Sequence, residues 1–249
     1  MGRLDGRVAL ITGAGRGIGA TFALAMAAEG AAIAVNDISG AEDTVAEIVE
    51  SGGHGLAVPA DVTESEQVLA AVERTVADFG HLDVLINNAA MFAEIPERHL
   101  LDIPSREWDE VMAVNTRGVF ECVRAVVPEM RRVGYGKVIN VCSGTVFKGS
   151  PGKCHYVASK GAVLAMTRVM ARELGPDMIC VNAIAPGLTL SEAVANKDAF
   201  INSPVVQTRA FKRHGLPEDL VGAVLFLTSH DSDFMTGQCI VVDGGSALH

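Results

Sequence analysis

The sequence has no apolar run approaching the roughly 20 residues that a membrane-spanning helix needs, because its hydrophobic stretches are short and broken by Gly, Asp or Asn. No secretion signal is expected either: Met1 to Arg7 is polar, carries Asp5, and the apolar run behind it is too short. Cysteine is scarce and unpaired. Cys122, Cys142, Cys154, Cys180 and Cys239 make an odd total without a C-x-x-C, which suits reduced thiols better than a disulfide frame or a zinc site. The histidines lack an H-E-x-x-H or comparable spacing, so no metal is expected. Basic residues are outnumbered, 20 Lys and Arg against 30 Asp and Glu, and the net charge of -10 disfavours nucleic acid and anionic membrane surfaces as partners. Internal repeats, low-complexity tracts and Pro/Ser-rich linkers are missing too, which leaves residues 1–249 as a single domain. The expected setting is cytoplasmic.

What the chain does contain is enough apolar residue, 49%, to fill the core of one large α/β domain. Short β-branched runs alternate with longer helical stretches, the pattern of a parallel sheet covered by helices on both faces. Strands are expected near 7–12, 31–37, 55–60, 82–87, 136–143, 178–184 and 238–242, with long helices at 18–29, 104–132 and 155–174. The stretch 188–215 lacks a clear period and is expected to form a lid or binding loop.

The segment Val8 to Gly19 runs a strand into a glycine turn that opens a helix. Gly13, Gly17 and Gly19 let the backbone turn tightly and approach a pyrophosphate, whose charge then sits on the helix N-terminus beside Arg16 and Ile18. Asp37 closes the next strand. A carboxylate there accepts hydrogen bonds from both adenosine ribose hydroxyls and repels a 2′-phosphate, which points to NAD. Two alternatives stay open: Asp37 as a helix N-cap, and Arg16 as the partner of an NADP phosphate. Asp61 and Val62, after the third strand, are candidates for the adenine edge, and Asn88 and Ala89 follow the fourth strand, where ligands sit in open α/β sheets. Each alone also fits an ordinary turn.

The chemistry concentrates in Tyr156 and Lys160, four apart on one helix face. A free tyrosine has a pKa of about 10, so acting as a base near neutrality needs roughly 4 kcal/mol of preferential phenolate stabilisation. The Lys160 cation and a positively charged nicotinamide ring are its expected sources. Ser143, at the end of the fifth strand, is placed to donate to a substrate oxygen on which charge develops. Asn115, mid-helix, is a candidate to hold a water relaying protons from Lys160. His155 points about 100° from Tyr156 on the helix and suits a mouth or interface role. Cys142 and Cys154 read as small packing residues.

With these motifs in order, the chain resembles the short-chain dehydrogenase/reductase family, in its compact single-domain branch, from about Leu4 to Gly245. The resemblance rests on Thr12-Gly-x-x-x-Gly-x-Gly19, Asn87-Asn-Ala89, Asn115, Ser143, Tyr156-x-x-x-Lys160 and Asn182-Ala-Ile-Ala-Pro-Gly187. Ala90 replaces a frequent Gly, and Ser191 stands where the family often has Thr. The resemblance implies a Rossmann-type sheet of about seven parallel strands, NAD(P)-dependent oxidoreduction and often a homotetramer. It also implies a tetrad of Asn115, Ser143, Tyr156 and Lys160, with Pro186, Gly187 and Thr189 on the nicotinamide side.

Candidate pocket walls are Met91, Phe92, Ala93 and Ile95, then Thr145 to Phe147, then Leu188 to Phe211. They are mostly apolar, which favours a hydrophobic secondary alcohol or ketone, alicyclic, aryl or steroidal. The alternative activity is a 3-oxoacyl-[acyl-carrier-protein] reductase using NADPH. Asp37, the negative net charge and Asp177, where a basic residue often stands, argue against it. A non-catalytic nicotinamide sensor would be expected to carry a broken tetrad. The C-terminal Asp243 to His249 is a candidate to reach a neighbouring subunit.

Overall fold

The computed structural model describes residues 2–195 and 197–248. Asn196 in the expected lid, His249 in the tail and Met1 lie outside the described residues. Seven strands form one parallel sheet: β1 (Val8–Thr12), β2 (Ala32–Asn36), β3 (His54–Ala57), β4 (Val84–Asn87), β5 (Gly136–Val141), β6 (Ile179–Pro186) and β7 (Cys239–Val242). Their spatial order is β3-β2-β1-β4-β5-β6-β7, so the chain reverses its direction of travel between β1 and β4. Crevices form at the carboxyl ends of strands flanking such a reversal.

The strands form where β-branched runs can be buried on both faces. In β1, Val8 and Leu10 join the core under α3 (Ser65–Phe79) and α5 (Gly118–Val133), while Ala9 and Ile11 join that under α1 (Gly17–Ala28) and α11 (Glu218–Thr228). That split is the two-residue alternation of a strand. Glycines in the left-handed region end two of the covering helices, Gly80 after α3 and Gly134 after α5. The remaining elements are α2 (Ala41–Glu50), α4 (Ser105–Met112), α6 (Thr145–Lys148) and α7 (Cys154–Leu174). No helix among the described residues is long and apolar enough to cross a membrane.

Three boundaries differ from expectation for identifiable reasons. The helix expected over 104–132 is divided by a π-turn, Ala113–Arg117, and this wider turn carries Asn115 into the interior. The strand expected over 55–60 ends at Ala57: the amides of Val58 and Ala60 still donate to the Val35 and Asp37 carbonyls, while their own carbonyls accept from the Asn36 amide at 2.9 and 3.1 Å. Strand β6 runs on to Pro186 because Val242 of β7 pairs beside it. The stretch 188–215 holds three single-turn helices: α8 (Glu192–Ala195), α9 (Asp198–Ile201) and α10 (Val205–Thr208).

A buried chain of hydrogen bonds fixes α7 to the sheet. Asn87 Nδ2 donates to Asn140 Oδ1 at 2.9 Å, Asn140 Nδ2 to Thr167 Oγ1 at 2.9 Å, and Thr167 Oγ1 to the Val163 carbonyl at 2.8 Å. Losing the middle member strands a buried amide donor and opens a small cavity. Asn140→Ala is expected to lower unfolding free energy by about 3 kcal/mol, read from urea denaturation with an unchanged m-value.

Candidate active site

The glycine turn is built by close approach. Gly13, at φ +62°, lies so near β4's exit that a Cβ would fall 2.7 Å from Ala89 Cα. A Cβ on Gly19 would strike the Gly13 carbonyl and come within 2.6 Å of Asn88 Nδ2. Thr12 clasps the two strand ends: its Oγ1 donates to the Ile86 carbonyl at 3.3 Å and accepts from the amides of Asn88 and Ala89, each at 3.1 Å. Asn88 Nδ2 returns bonds to the carbonyls of Thr12 (3.0 Å) and Gly13 (2.8 Å). Helix α1 then starts with no side-chain cap and no acidic residue in its first turn. Its amide ends therefore face the crevice without a carboxylate competing for them, which fits a bound pyrophosphate. Ile18 packs partly onto the core beneath. Gly17, at φ +61°, keeps the turn open toward Ser191, whose Cβ is 3.5 Å from the position a side chain would occupy.

Asp37 sits at the β2 exit and is tied to the glycine turn. Its Oδ2 accepts from the Gly15 amide at 2.9 Å, and its Oδ1 accepts from Ile38 at 2.7 Å and Ser39 at 3.3 Å. It does not cap α2, whose N-cap residue is Gly40. Arg16 is well exposed, 3.7 Å from Glu94 Oε1. Asp61 accepts from the amide and hydroxyl of Thr63, both at 2.8 Å, and Val62 is buried beneath Gly118. Both follow β3 at the crevice's adenosine end. On the opposite side, Pro186 accepts from the Gly144 amide at 2.9 Å, Gly187 donates to Val242 at 2.9 Å, and Thr189 Oγ1 donates to the Gly187 carbonyl at 3.1 Å.

Ser143, Tyr156 and Lys160 converge beside this crevice. The Ser143 hydroxyl accepts from Thr145 Oγ1 at 2.9 Å and lies close enough to the Tyr156 phenol to act on its titration. Burial pushes the Tyr156 phenol up to about 12, and the Ser143 contact opposes that rise. Burial likewise pushes the Lys160 ammonium down to about 8, and its Nζ donates to the Val141 carbonyl at 2.7 Å. Lys160 shares the α7 face with Tyr156, and its ammonium reaches the strand carbonyl.

Asn115 is fully buried and its amide is committed. Oδ1 accepts from Met91 N at 2.8 Å, and Nδ2 donates to Met91 O and Ser159 Oγ, each at 3.1 Å. The side chain expected to hold a water instead anchors the loop after β4 to the catalytic helix. The Phe92 ring lies 4.9 Å from the Tyr156 ring and 5.5 Å from Phe200. Leu188 is half-buried and its carbonyl accepts from Arg209.

Other expectations change. Phe147 packs with Cys142, Leu164, Ala183 and Cys239 between α7 and the sheet edge, because the one-turn helix α6 rotates it away from Ser143. His155 is buried, with Nε2 3.2 Å from Glu107 Oε1, because α4 packs over that face of α7. Cys154 is exposed rather than packed. The Cys142 thiol is held below its ordinary value, chiefly by the neighbouring Cys239 thiol. Asp243 accepts from the amides of Gly245, Ser246 and Ala247, which forms a tight turn at the start of the C-terminal segment.

Sequence reasoning gave no role to Lys153, whose ammonium lies against Phe92 and Phe200. Its place three residues before Tyr156 was the available signal. Nor did it find the buried Arg209, for which a lone arginine in an aperiodic stretch offers none.

Burial of Lys160 predicts a pH signature. From about pH 8 to about 10 the unfolded chain keeps a lysine proton that the folded chain has released, so stability rises with pH. Above about 10 the unfolded tyrosine ionises while buried Tyr156 does not, and the slope reverses. Lys160→Met is expected to flatten the rise between pH 8 and 10, as measured by urea denaturation across that range.

Comparison with known proteins agrees with this geometry. The family model described as enoyl-(acyl carrier protein) reductase matches residues 13–247. The short-chain reductase protein NovJ of Streptomyces niveus is 39% identical over 247 residues, spanning 96% of this chain and 93% of NovJ. The 3-oxoacyl-[acyl-carrier-protein] reductase FabG of Staphylococcus epidermidis is 38% identical over 240 residues, with 95% and 97% covered. The crystal structure of levodione reductase superposes with a TM-score of 0.92 at 33% identity, covering 99% of this chain and all of that one.

Proposed function

The chain belongs to the short-chain dehydrogenase/reductase family of NAD(P)-dependent oxidoreductases, and from that premise we propose that it interconverts an apolar secondary alcohol and its ketone with NAD. The observation that carries this reading is the meeting of Ser143, Tyr156 and Lys160 at the carboxyl ends of the strands, beside the crevice between β1 and β4.

The bound nicotinamide would supply the hydride acceptor or donor. Gly13, Gly17 and Gly19 would admit its pyrophosphate, Asp37 the adenosine ribose, Asp61 and Val62 the adenine, and Pro186, Gly187 and Thr189 the carboxamide end. The Ser143 hydroxyl donates to the substrate oxygen and holds it against the phenol. Tyr156 takes the hydroxyl proton in oxidation and returns it in reduction. Lys160 holds a positive charge beneath the site, and Asn115 fixes the loop that carries Phe92. Residues 188–215 act as the lid.

NAD is favoured because the Asp37 carboxylate lies against the glycine turn, where a 2′-phosphate would meet like charge. The second reading, an NADPH-dependent 3-oxoacyl-[acyl-carrier-protein] reductase, is favoured by likeness to FabG. Against it, Asp177, where a basic residue often stands, pairs with Arg131 at 2.8 Å, and the net charge is -10. Turnover of secondary alcohols should yield NADH rather than NADPH, and Tyr156→Phe should lower kcat by about 10³-fold. NADPH-only activity on 3-oxoacyl thioesters selects the second reading.

A homotetramer is part of the proposal. An apolar groove of about 860 Å³ between α4, α5 and α7 presents Phe120 and Val169, 46% and 55% exposed, and symmetric pairing of two such faces would cover it. Val169→Glu is expected to reduce the tetramer to a smaller species in light scattering.

A further inference from the structure

Lys153 is an unusual neighbour for a catalytic phenol. It is only 8% exposed, and its Nζ donates to the Phe92 carbonyl at 2.9 Å. The ammonium sits 4.4 Å from the centroid of the Phe92 ring and 5.4 Å from that of Phe200. Phe92 in turn stacks at 4.9 Å on Tyr156. An ammonium carries three donors, and Lys153 forms no ion pair among the described residues. Glu97 and Glu94 act on it only from a distance, and burial outweighs them in pushing its pKa down.

Clamping the Phe92 carbonyl requires a donor but not a charge. The two ring faces attract the ammonium, and an entering carboxylate would add a charge-assisted hydrogen bond to it in a site where little water competes. A second cation stands alongside: Lys197, from the segment between α8 and α9, donates to the Ala93 carbonyl at 2.6 Å. The cluster at the mouth thus holds Lys153, Lys197 and Arg16 against Glu94 and Glu97, with Arg16 already beside Glu94.

We propose that Lys153 determines specificity by pairing with a substrate carboxylate, so that the substrate is a hydroxy acid or oxo acid whose apolar chain lies along Phe92 between Tyr156 and Lys153. This rests on the dehydrogenase reading for turnover, but the binding of the carboxylate does not. Lys197 strengthens the pairing from the lid, and Glu97 weakens it by like charge.

The test has a binding arm and a turnover arm. Butanoate, hexanoate and phenylacetate, each against its uncharged amide, are titrated into the protein–NADH complex by calorimetry. At least one acid is expected to bind about tenfold more tightly than its amide. In Lys153→Met that preference falls to about one, Lys153→Arg retains part of it, and Glu97→Gln increases it about threefold. Equal binding of acids and amides by the native protein, or a preference that survives in Lys153→Met, overturns the assignment. In the turnover arm, 3-hydroxyalkanoates are compared with their methyl esters, and the ratio of kcat/KM values is expected to exceed ten in the native protein and to collapse in Lys153→Met. Faster turnover of the esters overturns the carboxylate assignment while leaving the dehydrogenase reading intact. Acid-selective binding without turnover of any alcohol leaves Lys153 as the carboxylate partner and removes the dehydrogenase reading.

Discussion

Everything at the site depends on the clasp between Thr12 and Asn88. Where strand order reverses, the backbones leaving β1 and β4 diverge, and their polar ends would separate without a tie. Thr12 and Asn88 supply five hydrogen bonds across that gap, and the glycines allow the approach those bonds need. The crevice is thus held at a fixed width, and the segment after β4, with Met91 and Phe92, leaves it in a fixed direction. Asn115 receives that segment and passes the constraint to α7 through Ser159. A hydroxyl at the end of the first strand therefore bears on where the phenol of Tyr156 stands.

Burial acts on the two central titratable groups with opposite sign. It stabilises neutral phenol at Tyr156 and neutral amine at Lys160, because a low-dielectric interior disfavours charge of either sign. The phenol is thereby harder to ionise, and the lysine easier to deprotonate, than either would be in water. The same desolvation magnifies any charge introduced nearby, so a positively charged ring in the crevice would act on the phenol far more strongly than through water.

Much of this was legible in the chain itself. The parallel sheet followed from β-branched runs separated by helix-length stretches, and the shared helix face of Tyr156 and Lys160 from helix geometry alone. What escaped were outcomes decided between elements. The spacing that put Asn115 on a helix could not show that a π-turn would bury its amide against Met91. The adjacency of Phe147 to Ser143 could not show that the ring would pack between α7 and the sheet edge. His155 looked peripheral because α4 is remote in sequence, though it packs directly over that position. Side chains long enough to choose among partners, such as Lys153, Lys160 and Arg209, are fixed only by which carbonyl or ring the tertiary structure brings within reach.

Arg209 bears on how the 188–215 segment is held. Buried between the start of the 188–215 segment and the C-terminal turn, it donates to the Leu188 carbonyl at 2.5 Å and to the Arg213 carbonyl at 3.3 Å, with Asp243 close enough to act on its charge. The amides of Ala210 and Phe211 add bonds to the carbonyls of Gly245 and Gly244. Both roots of the segment and the chain terminus are therefore fastened to one another independently of what lies between Leu190 and Thr208. The turns between them are thus suspended from fixed roots, and Lys197 and Phe200, through Ala93 and Phe92, tie them back to the segment after β4.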